Sequence, residues 1–167
     1  MYFRGPLQRT GWPQGIRIDI STGDPLAFPS ARRTLDHPYS DRQFVATAGL
    51  HLRCYDLREV LLEKLRGLAG QRSYAIARDL YDVHWLLDQA GLSVADVVRK
   101  ARAKFAAKGV ELSPRMVHNL KARRDELQND WARSVERLVP GERHTGFDAA
   151  WTTSVEALTA LVERGRT

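Results

Sequence analysis

The hydrophobic period of this chain changes once, and the change divides it. Ahead of Asp56 the period is two. Gly15-Ile16-Arg17-Ile18-Asp19-Ile20 sets three isoleucines on one face and Arg17 and Asp19 on the other. Leu50, Leu52 and Cys54 alternate in the same way with His51, Arg53 and Tyr55, which predicts a second short strand. Between them, residues 21–42 are rich in Ser, Pro, Asp and Gly and read as a long irregular connection. From Asp56 onward the period is that of a helix, with Leu57, Leu61, Leu65 and Leu68 forming one apolar stripe.

Punctuation sets the helical part. Asp56 with Glu59 has the form of a capping box and opens a helix over 57–69. A second helix covers 74–90 and stops at Gly91. Ser93 with Asp96 caps a third, which ends near Gly109. Ser113-Pro114 starts a fourth that runs to about 138, before Pro140-Gly141, and a fifth covers 147–164. The expected fold is α+β: a sheet at residues 1–55 and a helical, five-helix bundle-like domain at 56–167, the two acting as one unit. Two strands are marginal alone, so the sheet is expected to lack neighbours.

Composition excludes several classes. With 43% hydrophobic residues in 167 the chain is not disordered. The lone Cys54 has no intramolecular partner and points to a reducing, cytoplasmic setting. The opening MYFRGPLQRTGW does not read as a signal peptide, and no run approaches the roughly 20 apolar residues of a membrane span, so no membrane partner is expected. The five histidines never fall at zinc spacing, and G-x-G-x-x-G, Walker and G-x-S-x-G motifs are missing.

The net charge of +6 is local. Residues 99–137 carry all of it, while 1–98 and 138–167 sum to +1 and −1. Arg99, Lys100, Arg102, Lys104, Lys121, Arg123 and Arg124 are the candidates for a nucleic-acid-binding face. A solvated helix face accounts for them equally well.

Two charges stand in apolar arcs. Lys64 falls between the azimuths of Leu57 and Val60, and Asp79 falls between Val83 and Leu86, inside the stripe of Ile76, Leu80, Val83 and Leu87. A buried ammonium needs a partner or a polar cavity, although a long lysine also reaches out to solvent. Asp82 lies one turn beyond Asp79, and Arg78 is placed to reach it at i,i+4. Two helices joined by about four residues should pack antiparallel, which would bring Lys64 and Asp79 to one pocket beside the strand of Asp19. Cations close to a carboxylate form a usable constellation for nucleotide phosphates.

Ile16-Arg17-Ile18-Asp19-Ile20, then Tyr55-Asp56-Leu57-Arg58-Glu59-Val60-Leu61-Leu62-Glu63-Lys64-Leu65, then Arg72 and Ala77-Arg78-Asp79-Leu80-Tyr81-Asp82 resemble the AbiEii/AbiGii-type nucleotidyltransferase toxins. The resemblance covers roughly residues 1–90 and implies a nucleotidyltransferase fold, the N-terminal strands being a remnant of its mixed sheet, followed by a helical domain. It implies the toxin of an abortive-infection (type IV) toxin–antitoxin pair in phage defence, beside a cognate DNA-binding antitoxin. The implied reaction carries a nucleotide from an NTP, with Mg²⁺, to an acceptor such as tRNA or another RNA. Asp19 would then be catalytic and bind the metal, Lys64 would hold the triphosphate, and Asp79 would organise the pocket with Arg78, Asp82 and Arg72. The family's first motif, Gly-Ser followed by D-x-D, occurs nowhere in the sequence. A chain truncated at its N-terminus, by a start set too far downstream or as a gene remnant, and inactive as it stands is therefore expected. The alternative is a non-enzymatic helical protein that binds nucleic acid or meets the antitoxin.

Overall fold

In a computed structural model the described residues are 2–3, 14–15, 23–34, 51–71, 74 and 76–165. The chain is α+β and mostly helical. Two antiparallel two-stranded sheets are described: β1 (Tyr2–Phe3) with β2 (Gln14–Gly15), and β3 (Ala31–Thr34) with β4 (His51–Cys54). The expected strand at 50–54 is β4. Its partner, however, lies in the stretch read as irregular connection. All four side chains of β3 are exposed, so burial left no alternation to read, and the strand is held by its backbone ladder. The mixed sheet is not among the described residues, and the strand expected over 15–20 lies outside them apart from Gly15.

Six α-helices follow: α1 (Leu57–Arg66), α2 (Ala77–Asp88), α3 (Val98–Ala106), α4 (Arg115–Ala122), α5 (Arg124–Trp131) and α6 (Phe147–Arg164). A π-turn at Gly67–Gln71 follows α1 and is kinked at Gly70, which takes φ +97°, and another at Ala132–Glu136 extends α5. Gly91 and Gly109 both take φ +68°, which a side chain would resist, and they end the second and third helical segments as their positions predict. Ser93 and Asp96 do form a capping box, on a 3₁₀ turn at Val94–Asp96 that precedes α3.

The expected fourth helix is broken. Arg123 leaves helical geometry at φ −102°, ψ 12° without a Gly or Pro to announce it. The break lets α4 pack on the first π-turn and α6 while α5 packs on α2. One straight helix could not serve both. α2 is the hub, lying against α6, α1 and α5, with Leu80 and Val83 fully buried. Trp131, Phe147 and Trp151 close the far side, with Phe147 edge-on to Trp131 at 5.6 Å and stacked on Trp151 at 6.0 Å. Among the described residues no helix is long and apolar enough to cross a membrane.

The apolar stripe of α1 is rotated from its sequence reading. Leu57 is 45% exposed, whereas Glu59 and Arg66 are buried. Asp56 does cap the helix, accepting from Arg58 N at 2.9 Å. Glu59 does not complete a capping box. Its carboxylate instead accepts from Ala27 N at 2.8 Å and Phe28 N at 3.0 Å, and lies 2.7 Å from Lys104 Nζ. Asp24 and Glu63 also bind Lys104, and both carboxylates bind Arg66 as well. Lys108 lies 3.9 Å from Asp24. Three carboxylates and three cations thus strap residues 24–28 onto α1 and α3.

That strap has a pH signature. The Asp24 carboxyl is held well below its ordinary 3.8, first by the hydrogen bond from Arg66, then, against desolvation, by Lys104. Burial opposes the charge on Lys104, but Glu59, Glu63 and Asp24 together raise its pKa above the ordinary 10.5. A depressed carboxylate stabilises the fold above its unfolded value and loses that contribution as pH falls through its native value. A raised ammonium contributes below its unfolded value and is lost as pH climbs. The urea midpoint should therefore hold a plateau between 3.8 and 10.5 and decline on either side. A midpoint that rose below pH 3.8 would remove Asp24 from the strap.

Candidate functional site

Lys64 sits in the last turn of α1 and Asp79 in the first turn of α2. Side-by-side packing of the two helices brings them together, with Lys64 Nζ 2.9 Å from Asp79 Oδ1. Asp79 is 2% exposed, as the apolar arc around it foretold. Lys64 also binds Asp82. The ammonium is therefore neither lodged unpaired nor turned freely to water: it lies between two carboxylates, one buried and one 37% exposed at its side chain. Burial works against its charge, but the hydrogen bonds and attraction of Asp82 and Asp79 outweigh that and raise its pKa above the ordinary 10.5.

The expected link from Arg78 to Asp82 is replaced. Asp82 goes to Lys64, and Arg78 is exposed with no ion pair among the described residues. Behind Asp79 lies a crevice of only about 10 Å³, bordered by Gly67, Tyr74 and Arg123 among others. Asp19 and Arg72 lie outside the described residues.

The donor set does not suit Mg²⁺ by itself. Both carboxylates at the site are committed to Lys64, and among the described residues no three His, Cys, Asp or Glu side chains converge on one point.

The seven candidate cations of the basic segment divide into three groups. Lys104 is 2% exposed and faces carboxylates, so it does not belong to a solvent-facing basic surface. Arg102, Arg123 and Arg124 are engaged within the chain. Arg102 donates to Gly165 O at 3.1 Å, Arg123 Nε pairs with Glu126 at 3.0 Å, and Arg124 pairs with Asp148 at 2.8 Å over the Phe147 ring. Arg99, Lys100 and Lys121 are exposed with no carboxylate partner among the described residues.

The pattern test that singled out Lys64 would also have found Lys104. It lies beside Val97 in azimuth, next to the buried Ala101 and Phe105. Glu59 and Arg66, seven residues apart, share nearly one azimuth and lie next to Leu62 at the edge of the buried face. His84 is held by Thr153 at 3.0 Å and Thr145 at 3.2 Å. Thr153 spends its proton on Ala149 O, so the neutral ring donates from Nδ1 and accepts at Nε2. It borders an open cavity of about 500 Å³ with Tyr81, Trp85, Arg143 and His144.

The family model described as "Nucleotidyl transferase AbiEii toxin, Type IV TA system" matches residues 1–153. No curated protein and no solved structure matches the chain.

Proposed function

The chain belongs to the AbiEii nucleotidyl transferase toxin family, and on that premise we propose that Lys64 is the cation that receives the triphosphate of an NTP, in a nucleotidyltransferase toxin whose acceptor is an RNA such as tRNA. The family implies a cognate antitoxin and an NTP substrate. The observation that carries the proposal is the Lys64 ammonium gripped from behind by buried Asp79 and covered in front by exchangeable Asp82. Phosphate oxygens approaching from solvent displace Asp82 while Asp79 keeps the ammonium aimed. Exposed Arg78 is the nearest further cation on α2, and Arg72 and Asp19 are assigned to the same site by their place in the family pattern. Arg99, Lys100 and Lys121 are the candidates for contact with the acceptor, and residues 1–55 and 56–167 act as one unit.

No D-x-D pair occurs in these 167 residues, so we assign them nucleotide binding and not, by themselves, the transfer step. The test has two arms. A fluorescent NTP analogue should bind the chain, and labelled NTP with Mg²⁺ and total tRNA should give no labelled RNA. Labelled RNA would overturn the second assignment, and no binding the first.

Asp82→Asn carries its own expectation. It removes the competitor for Lys64 and a like charge facing the phosphates. Affinity for the analogue should rise about two- to fivefold, the worth of one exposed ion pair. A weaker affinity would make Asp82 a contact and not a cover.

A further inference from the structure

β3 and β4 pair in a register that sets Arg32 directly opposite Arg53, Arg33 opposite Leu52 and Thr34 opposite His51. Opposed residues share a face and alternate residues join it, so Arg32, Arg53 and His51 stand together with Thr34. Like charges directly across an antiparallel pair weaken it. Among the described residues Arg32 and Arg53 have no acidic partner; Asp56, just beyond β4, attracts Arg33 but gives both its oxygens to Arg58 at 2.9 and 2.7 Å. The side chains of β3 and of His51, Leu52 and Arg53 are all exposed. Next along the chain, Tyr55 is 62% exposed.

Among the described residues the fold gives no reason for this arrangement, since neither arginine has a partner there. A polyanion gives one. We propose that the β3–β4 ribbon is a surface for single-stranded RNA in addition to Arg99, Lys100 and Lys121, with Arg32 and Arg53 on backbone phosphates and Tyr55 as a stacking platform for a base. Guanidinium groups take phosphate oxygens two at a time, which suits arginine at both positions. An exposed aromatic beside cations favours unstacked bases over a duplex, whose base faces are closed. The choice of RNA rests on the acceptor reading above, while the register and charge argue for a polyanion independently of it.

The experiment uses the full chain without nucleotide, so its outcome is separate from NTP binding at Lys64. A labelled mixed-sequence single-stranded RNA, the same sequence as duplex RNA and as duplex DNA, is titrated between 50 and 200 mM salt. The single strand should bind tightest. Arg32→Gln/Arg53→Gln should weaken it and lower the salt slope by about 1.4, the value for two single-strand phosphates. Tyr55→Ser should weaken binding with the slope unchanged. Arg133→Gln/Arg137→Gln, an equal loss of exposed charge elsewhere, should have much the smaller effect. Melting supplies the control for folding: at low salt Arg53→Gln should melt no lower than the parent chain. Equal effects of the two double variants, equal binding of a duplex, or a lower melting temperature with RNA affinity unchanged would each overturn the proposal.

Discussion

Lys104→Met is expected to cost about 3–5 kcal/mol of folding stability, the usual consequence of removing one partner from a buried ion pair. Against a total of about 5–15 kcal/mol for a domain, that is enough to leave part of the population unfolded. The reason is the company that Lys104 keeps. Its ammonium stands among Glu59, Glu63 and Asp24, and Glu59 is itself 1% exposed. Without the ammonium, Glu59 stays buried while fixed to the amides of Ala27 and Phe28. It cannot turn out to water without surrendering both. Glu59→Gln is expected to be milder, because an amide oxygen still accepts from those N–H groups. The two substitutions should also couple: Glu59→Gln/Lys104→Met should be less destabilised than Lys104→Met alone, since no unpaired charge is left at position 59. Urea unfolding of the four chains, followed by tryptophan fluorescence, measures this directly. A loss under about 1 kcal/mol for Lys104→Met would place the cluster among surface pairs of little worth.

The second large effect is functional. Lys64→Ala should lower affinity for an NTP analogue on the order of 10- to 100-fold, the worth of a charge-assisted hydrogen bond to phosphate. The substitution also strips buried Asp79 of its ammonium, so the urea midpoint is expected to fall as well. Affinity is compared under conditions where far-UV circular dichroism shows the variant folded. Asp79→Asn tests the positioning role. It keeps the shape beside Lys64 but weakens the hold from behind, so affinity should fall without a change in the number of phosphate-bound cations. The salt dependence of binding separates the two: Lys64→Ala should flatten it by about one charge, and Asp79→Asn should leave it in place. Affinity unchanged in Lys64→Ala would take the residue out of the nucleotide site.

Parts of this architecture could be read directly. Gly91 and Gly109 end helical segments because a left-handed residue is a local requirement, visible at a single position. The Ser93–Asp96 box is equally local. The meeting of Lys64 and Asp79 was legible because each stands in an apolar arc, and two such misfits on adjacent helices satisfy one another. Arg32-Arg33, by contrast, gave no strand signal, because both faces of β3 are exposed and only pairing with β4 makes it a strand.

The sequence by itself determined the change of period at Asp56, the helical run after it and the family pattern of Glu63-Lys64-Leu65 and Arg78-Asp79-x-x-Asp82, since each depends on residues within a few turns of one another. Only the tertiary structure decided which face of α1 is buried, where the helix beyond Ser113 breaks, and that Lys104 serves a carboxylate cluster and not the basic surface. Those outcomes join positions as far apart as Asp24 and Lys104, 80 residues along the chain. Burial of one charge is tolerable only when the partner arrives, and which partner arrives is settled by packing.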